Sequence, residues 1–191
     1  AVDVRELILL GGGRGETRQL DQYISGMSFD GFESILSYIV YGDGTVKIRH
    51  TVKPQGTMPP YLPRIGVTFG LDGSLSNVQW YGRGPQANYP DRKSGYRLGI
   101  WTSTVEDMYE PYLIPQDYGL RTDNRWVRMT DSDGKGVELS VDHLFNFNAY
   151  PYTTDNLTKS VYQYQLQKTE DITFNLDYAT SGVGCTARAI Y

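Results

Sequence analysis

Residues 32–53 read FESILSYIVYGDGTVKIRHTVK, and the fold turns on how that stretch is read. From Val46 onward the side chains alternate. Val46, Ile48, His50 and Val52 fall on one side, and Lys47, Arg49, Thr51 and Lys53 on the other. A period of two belongs to a half-buried β-strand, whereas an amphipathic helix needs apolar residues three and four apart. Gly42-Asp43-Gly44 supplies turn chemistry between this strand and the apolar run before it, so the stretch predicts a β-hairpin.

The same pattern recurs outward from the hairpin. Strands are expected over Val4 to Leu10, Ile65 to Leu71, Leu75 to Tyr81, Arg97 to Thr102, Arg125 to Thr130, Val137 to Val141, Phe145 to Ala149 and Ile172 to Tyr178. Turn clusters at 72–74 (DGS) and 131–136 (DSDGKG) separate several of them. Sixteen tyrosines and 21 glycines suit an all-β protein rich in turns. One short helix is expected over TTDNLTKSVYQYQL, with Thr154 or Asp155 as its N-cap. Strands do not alternate with long helices, which excludes a doubly wound sheet or a (β/α)8 barrel. The expected fold is one antiparallel β-sandwich, with residues 1–30 as an N-terminal strand or linker region and 31–191 as the sandwich proper. The proline-rich stretch KPQGTMPPYLPR, 53–64, reads as a linker or a stiff crossover between two sheets.

Composition excludes several function classes. A net charge of −4 with no Lys/Arg block argues against nucleic acid as a partner. No run of about 18 apolar residues occurs, so no membrane-spanning helix is expected. The start, AVDVRELILL, carries acidic residues and lacks the basic-then-apolar order of a signal peptide. Cys185 is the single cysteine, which rules out an intrachain disulfide and reads as a small buried hydrophobe.

Known site motifs fail one by one. LLGGGRGET at 9–17 lacks the Lys-Ser/Thr of a P-loop and the last glycine of a dinucleotide loop, so it reads as a flexible loop. His50 lies on the apolar side of its strand and reads as a core histidine. His143 follows Asp142, but neighbours in a strand point to opposite faces. Two histidines and one cysteine far apart give no zinc spacing, and the D-x-D-G at 131–134 lacks the length of a calcium loop. No metal and no cofactor is expected. No G-x-S-x-G appears. Glycosidase chemistry needs two carboxyl groups at a set separation, and the 22 acidic residues cannot be paired from sequence.

A sugar-binding character is suggested by WYGRGPQANYPDRKSG, 80–95. Aromatic faces stack on pyranose C–H faces, while Arg, Asp and Asn bind hydroxyls. The candidate substrate-binding residues are Trp80, Arg83, Tyr89, Asp91, Arg92 and Arg121; no catalytic residue is assigned. The competing reading is structural. Glycines and prolines fix an irregular loop, Arg83, Asp91 and Arg92 pair with one another and with carbonyls, and Trp80 is core.

Four ordered blocks carry a resemblance: LPRIG at 62–66, WYGRGPQANYPDRKSG at 80–95, MYEPYLIPQDYGLRTDNRW at 108–126 and LDYATSGVGC at 176–185. Together they resemble the C-terminal small-chain domain of glycoside hydrolase family 2 β-galactosidases, from about Phe32 to the end. The resemblance implies a large antiparallel supersandwich similar to galactose mutarotases. It also implies that the catalytic residues lie in another domain of a longer enzyme, so this chain alone does not hydrolyse galactosides. Its partners would then be the remaining domains and a galactoside, in a cytoplasmic or periplasmic bacterial enzyme. The family commonly has Glu where Ala87 and Asp117 stand, His at Tyr162 and Glu at Gln165. The alternatives are a stand-alone carbohydrate-binding sandwich and an aldose 1-epimerase.

Overall fold

The computed structural model describes residues 2–9, 17–19, 30–60 and 62–182. The chain is all-β: ten strands, all antiparallel where paired, and one short α-helix among the described residues. It divides into two compact units, residues 1–61 and residues 62–191.

The first unit is a four-stranded sheet in the order β2-β1-β3-β4. Its strands are β1 (Val2–Leu9), β2 (Thr17–Gln19), β3 (Gly31–Val40) and β4 (Val46–Gln55). The hairpin read from sequence is β3–β4, with Val40 opposite Val46 and Leu36 opposite His50. Its turn is fixed by Asp43, whose Oδ1 accepts the Thr45 amide at 2.9 Å, while Gly44 takes φ 89°, a conformation open to glycine. Pro54 sits within β4 at the sheet edge, where a missing N–H is tolerated. The glycine-rich loop at 10–16 and Cys185 lie outside the described residues. The proline-rich stretch joins β4 of the four-stranded sheet to β5 of the six-stranded one.

The second unit is a six-stranded sheet in the order β5-β10-β9-β8-β6-β7. Its strands are β5 (Arg64–Leu71), β6 (Asn77–Gly84), β7 (Arg97–Thr104), β8 (Arg121–Thr130), β9 (Gly136–Tyr150) and β10 (Ile172–Thr180). The two strands expected over 137–141 and 145–149 are one, β9, 15 residues long. The polar pair Asp142-His143 does not break it, because the strand's first half pairs with β8 and its second half with β8 and β10.

The helix also departs from expectation. It spans α1, Thr154–Lys159, and its N-cap is Thr153 rather than Thr154 or Asp155. Thr153 is extended, and its Oγ1 accepts the Asn156 amide at 3.0 Å. The helix ends at Ser160; Gln163–Gln165 form a separate 3-10 turn. Gln165 Oε1 takes the Val161 and Tyr162 amides that a longer helix would have used.

The core lies on one face of the six-stranded sheet. Val78, Trp80, Val127, Met129, Phe145, Phe147 and Phe174 are buried there, closed by Val105 and Met108 from the turn after β7. Phe147 stacks on Phe174 with centroids 5.6 Å apart, and Trp80 meets Phe147 edge-on at 6.1 Å. Phe147→Ala is therefore expected to destabilise this unit by about 3–5 kcal/mol, read as a lowered urea midpoint.

Candidate functional site

Along β9 every residue from Phe145 to Tyr150 is buried. Phe145, Phe147 and Ala149 enter the apolar core, so the alternate residues Asn146, Asn148 and Tyr150 point to the opposite face. The segment between β7 and β8 packs over that face. Asn148 Nδ2 donates to Asp117 Oδ1 and to the Tyr118 carbonyl, each at 2.9 Å. Its Oδ1 accepts from Asn175 Nδ2 at 2.8 Å. Tyr118, Tyr150, Tyr152 and Leu157 form an aromatic cluster beside it, with Tyr109, Tyr112 and Leu166 at its margin.

Arg64, the first residue of β5, joins this cluster between two carboxylates. Its Nη1 donates to Asp117 at 3.3 Å, and its Nε stands 3.0 Å from Asp177 Oδ2. The second contact is ionic without hydrogen-bond alignment, so both Asp177 oxygens are buried with no aligned donor. Burial pushes the Asp177 carboxyl up to about 7; Arg64 opposes that rise and Asp117 adds to it. Burial works against the Arg64 charge, but Asp117 and Asp177 outweigh it and raise its pKa.

The stretch 80–95 leaves β6 at the cis Gly84-Pro85 bond and is organised by a residue that sequence reasoning did not single out. Asn88, fully buried, bonds in several directions. Its amide donates to the Leu120 carbonyl at 2.8 Å. Its Nδ2 donates to the Gln86 carbonyl, and its Oδ1 accepts the amide and hydroxyl of Thr122. The loop is thereby tied to the start of β8. An asparagine in a loop carries no pattern that marks such a role.

The six candidate residues occupy distinct places around this loop. Trp80 is in the core, its Nε1 donating to the Arg83 carbonyl at 3.0 Å. Arg83 bonds backbone carbonyls as the structural reading expected, but its carboxylate partner is Asp123. Its Nε donates to Asp123 at 2.5 Å and its Nη1 to the Tyr96 carbonyl at 2.8 Å. Lys93 Nζ adds a bond to Asp123 at 2.9 Å. Burial works against the Asp123 carboxylate, yet the bonds from Arg83 and Lys93 hold its pKa below the usual range. Asp123 also takes φ 57°, a left-handed backbone that Asp adopts more readily than most residues.

Tyr89 is buried with Ala87 and Leu120, and Arg92 lies over its ring at 4.7 Å. Burial, then the charge of Asp117, pushes the Tyr89 phenol up, and its hydroxyl has no hydrogen-bond partner. Arg121 is 3% exposed and stacks over Trp80 at 5.2 Å. It donates to the Gly119 carbonyl, and its Nε is buried without a partner. Desolvation lowers its pKa to about 10, with Glu110 opposing the shift. Asp91 and Arg92 are exposed. The structure thus brings Trp80, Arg83, Tyr89, Asp91, Arg92 and Arg121 around one loop, with Asn88, Thr122 and Asp123 as the missed members.

The histidines stand elsewhere. His50 bonds Ser34 Oγ through Nε2 at 2.9 Å. His143 does contact Asp142, Nδ1 to Oδ1 at 2.8 Å, although the two start on opposite faces of the strand. Among the described residues, no three His, Cys, Asp or Glu side chains converge as a metal site would need.

A family model described as β-galactosidase small chain matches residues 14–189. The chain belongs to the β-galactosidase small-chain family. It is 36% identical over 149 residues to a β-galactosidase of Priestia megaterium, covering 78% of this chain and 14% of the relative. A β-galactosidase of Halalkalibacterium halodurans is 33% identical over 158 residues, 81% of this chain and 16% of the relative. One from Vibrio cholerae is 34% identical over 147 residues, 77% and 14%. The chain therefore spans about a seventh of the length of the curated relatives it matches. Ala87 is buried and packed against Tyr89 and Leu120.

The Arg64 cluster predicts a pH dependence. A carboxyl whose folded pKa is raised binds more protons folded than unfolded between about 4 and about 7. Its contribution to stability then falls as pH rises through that window and is level above it. Asp177→Asn keeps the shape and removes the titration. Relative to the variant, the natural chain should lose on the order of 3 kcal/mol between pH 4 and pH 8, read as the difference in urea midpoints. A constant difference would mean that Asp177 is ionised across the range.

Proposed function

We propose that the chain works as a non-catalytic C-terminal domain of a β-galactosidase. In this reading the full-length enzyme hydrolyses terminal β-D-galactosides, and the domain supports the active site and carbohydrate binding. One observation carries the reading: β-galactosidases in which the matched stretch makes up only 14–16% of the length match the chain over most of its own length. The chemistry agrees with it. Glycoside hydrolysis uses two carboxyl groups flanking the scissile bond, one donating a proton and the other acting as base or nucleophile. Asp117 and Asp177 approach a shared Arg64, and Asp177 is sealed from solvent, an arrangement suited to holding a loop in place.

The role in carbohydrate binding rests on the loop around Asn88. Arg92 is exposed and stacked on Tyr89, so its guanidinium is held in a fixed plane and can donate to adjacent hydroxyls. Arg83 and Lys93 are engaged with Asp123 and fix the loop from behind.

Assays of the chain and of the full-length polypeptide test the proposal. The purified chain should release no nitrophenol from a nitrophenyl β-galactoside above a mock purification, whereas the full-length polypeptide should turn it over. Turnover by the chain itself would overturn the reading. A proton NMR series on fresh α-galactose adds a second readout. Faster anomer interconversion would indicate an epimerase. Saturation transfer without it, lost in Arg92→Ala at an unchanged urea midpoint, would place sugar on this loop.

A further inference from the structure

The outward face of β6, β7 and β8 carries a group of side chains that neither the core nor the loop uses. The register sets Tyr81 between Ile100 of β7 and Trp126 of β8, with Leu98 two residues from Ile100 on the same side of β7. The Tyr81 and Trp126 rings are 6.5 Å apart. Arg125 lies over Tyr81 at 4.9 Å, and Arg128 over Trp126 at 5.1 Å. Ile100 is 62% exposed, Leu98 48% and Tyr81 36%. β7 is also an edge strand of its sheet.

Scattered exposed apolar residues are ordinary; a contiguous group on one rigid face marks an interaction site. The composition is specific as well. Tyr, Trp and Arg are enriched at interface centres, and they contribute most when surrounded by groups that exclude water. Here the two guanidinium groups are already stacked on their rings, so little side-chain freedom remains to be lost on binding. Arg128 pairs with Glu138 at the rim, both about half exposed.

We propose that this face docks another part of the longer β-galactosidase polypeptide, through an apolar patch rimmed by carboxylates that meet Arg125 and Arg128. The occupant follows from length: in the relatives, about six-sevenths of the polypeptide lies outside the region this chain matches. The proposal rests on the β-galactosidase reading above.

Hydroxyl-radical footprinting read by mass spectrometry tests it on the 191-residue chain and on the full-length polypeptide. Oxidation of Tyr81, Leu98 and Ile100 should fall about tenfold in the full-length protein, as for residues moved from the surface to an interface centre. Ile100→Asp should lower the thermal midpoint of the full-length polypeptide and leave that of the chain unchanged. Equal oxidation in a full-length protein that hydrolyses galactosides would overturn the docking face and leave the enzyme reading standing. Protection without galactoside hydrolysis would do the reverse. Protection in the chain alone would also overturn the proposal: if it rises with concentration the occupant is a second copy, and if it does not, the chain's own remaining residues.

Discussion

The six-stranded sheet depends on how one asparagine is satisfied. Asn148 lies on a strand whose last six residues are buried on both faces, and a buried amide left unpaired costs about 1–3 kcal/mol. Its Nδ2 reaches Asp117 and Tyr118, and its Oδ1 is met by Asn175. Those bonds join β9, β10 and the segment before β8. An apolar residue of the same size would pack, but it would leave Asp117, the Tyr118 carbonyl and Asn175 without these partners. The polar face is therefore coherent only as a set, and the set fixes where the 109–122 segment lies.

The position of that segment fixes the loop at 85–95 in turn. Asn88 bonds the Leu120 carbonyl and Thr122, so the loop inherits its place from the start of β8. Asp123, in a left-handed conformation, then presents its carboxylate to Arg83 and Lys93 together. This chain of constraints leaves Arg92 outermost and Arg121 innermost, although both are arginines that composition alone cannot tell apart. One is solvated and stacked on Tyr89. The other is desolvated over Trp80, and burial lowers its pKa.

The hairpin at 32–53 was legible because its alternation and its Gly-Asp-Gly turn are local properties of the chain. The strands around Trp80, Val127 and Phe174 were legible for the same reason. β9 was not recognised as one strand, because Asp142 and His143 interrupt the apolar pattern while the pairing with β8 and β10 resumes past them. The helix was placed too long and capped one or two residues late, because Thr153, Thr154 and Asp155 are all plausible caps and only the extended backbone at Thr153 decides. At the site, Trp80 and Arg83 stood out by residue type. Asn88 and Asp123 did not, since their roles come from partners 34 and 40 positions away.

The distribution of unsatisfied groups gives the loop its interest. Among the described residues the buried side-chain atoms without a hydrogen bond are the Tyr89 and Tyr118 hydroxyls, Arg121 Nε, Asn124 Oδ1 and the Asp177 carboxylate. Tyr89, Arg121 and Asn124 flank the loop or begin β8, and Asp123 between them carries the left-handed backbone. Natural sequences that are consistent elsewhere tend to break local rules where function constrains them. The apolar core around Phe147 shows no such departures: its side chains are buried, stacked and free of polar atoms apart from the bonded Trp80 indole. Stability and unsatisfied chemistry are thus separated within one sheet. The rigid apolar face can hold the loop in its less favourable state, because the cost there, a few kcal/mol at most for such groups, is small beside what the core contributes.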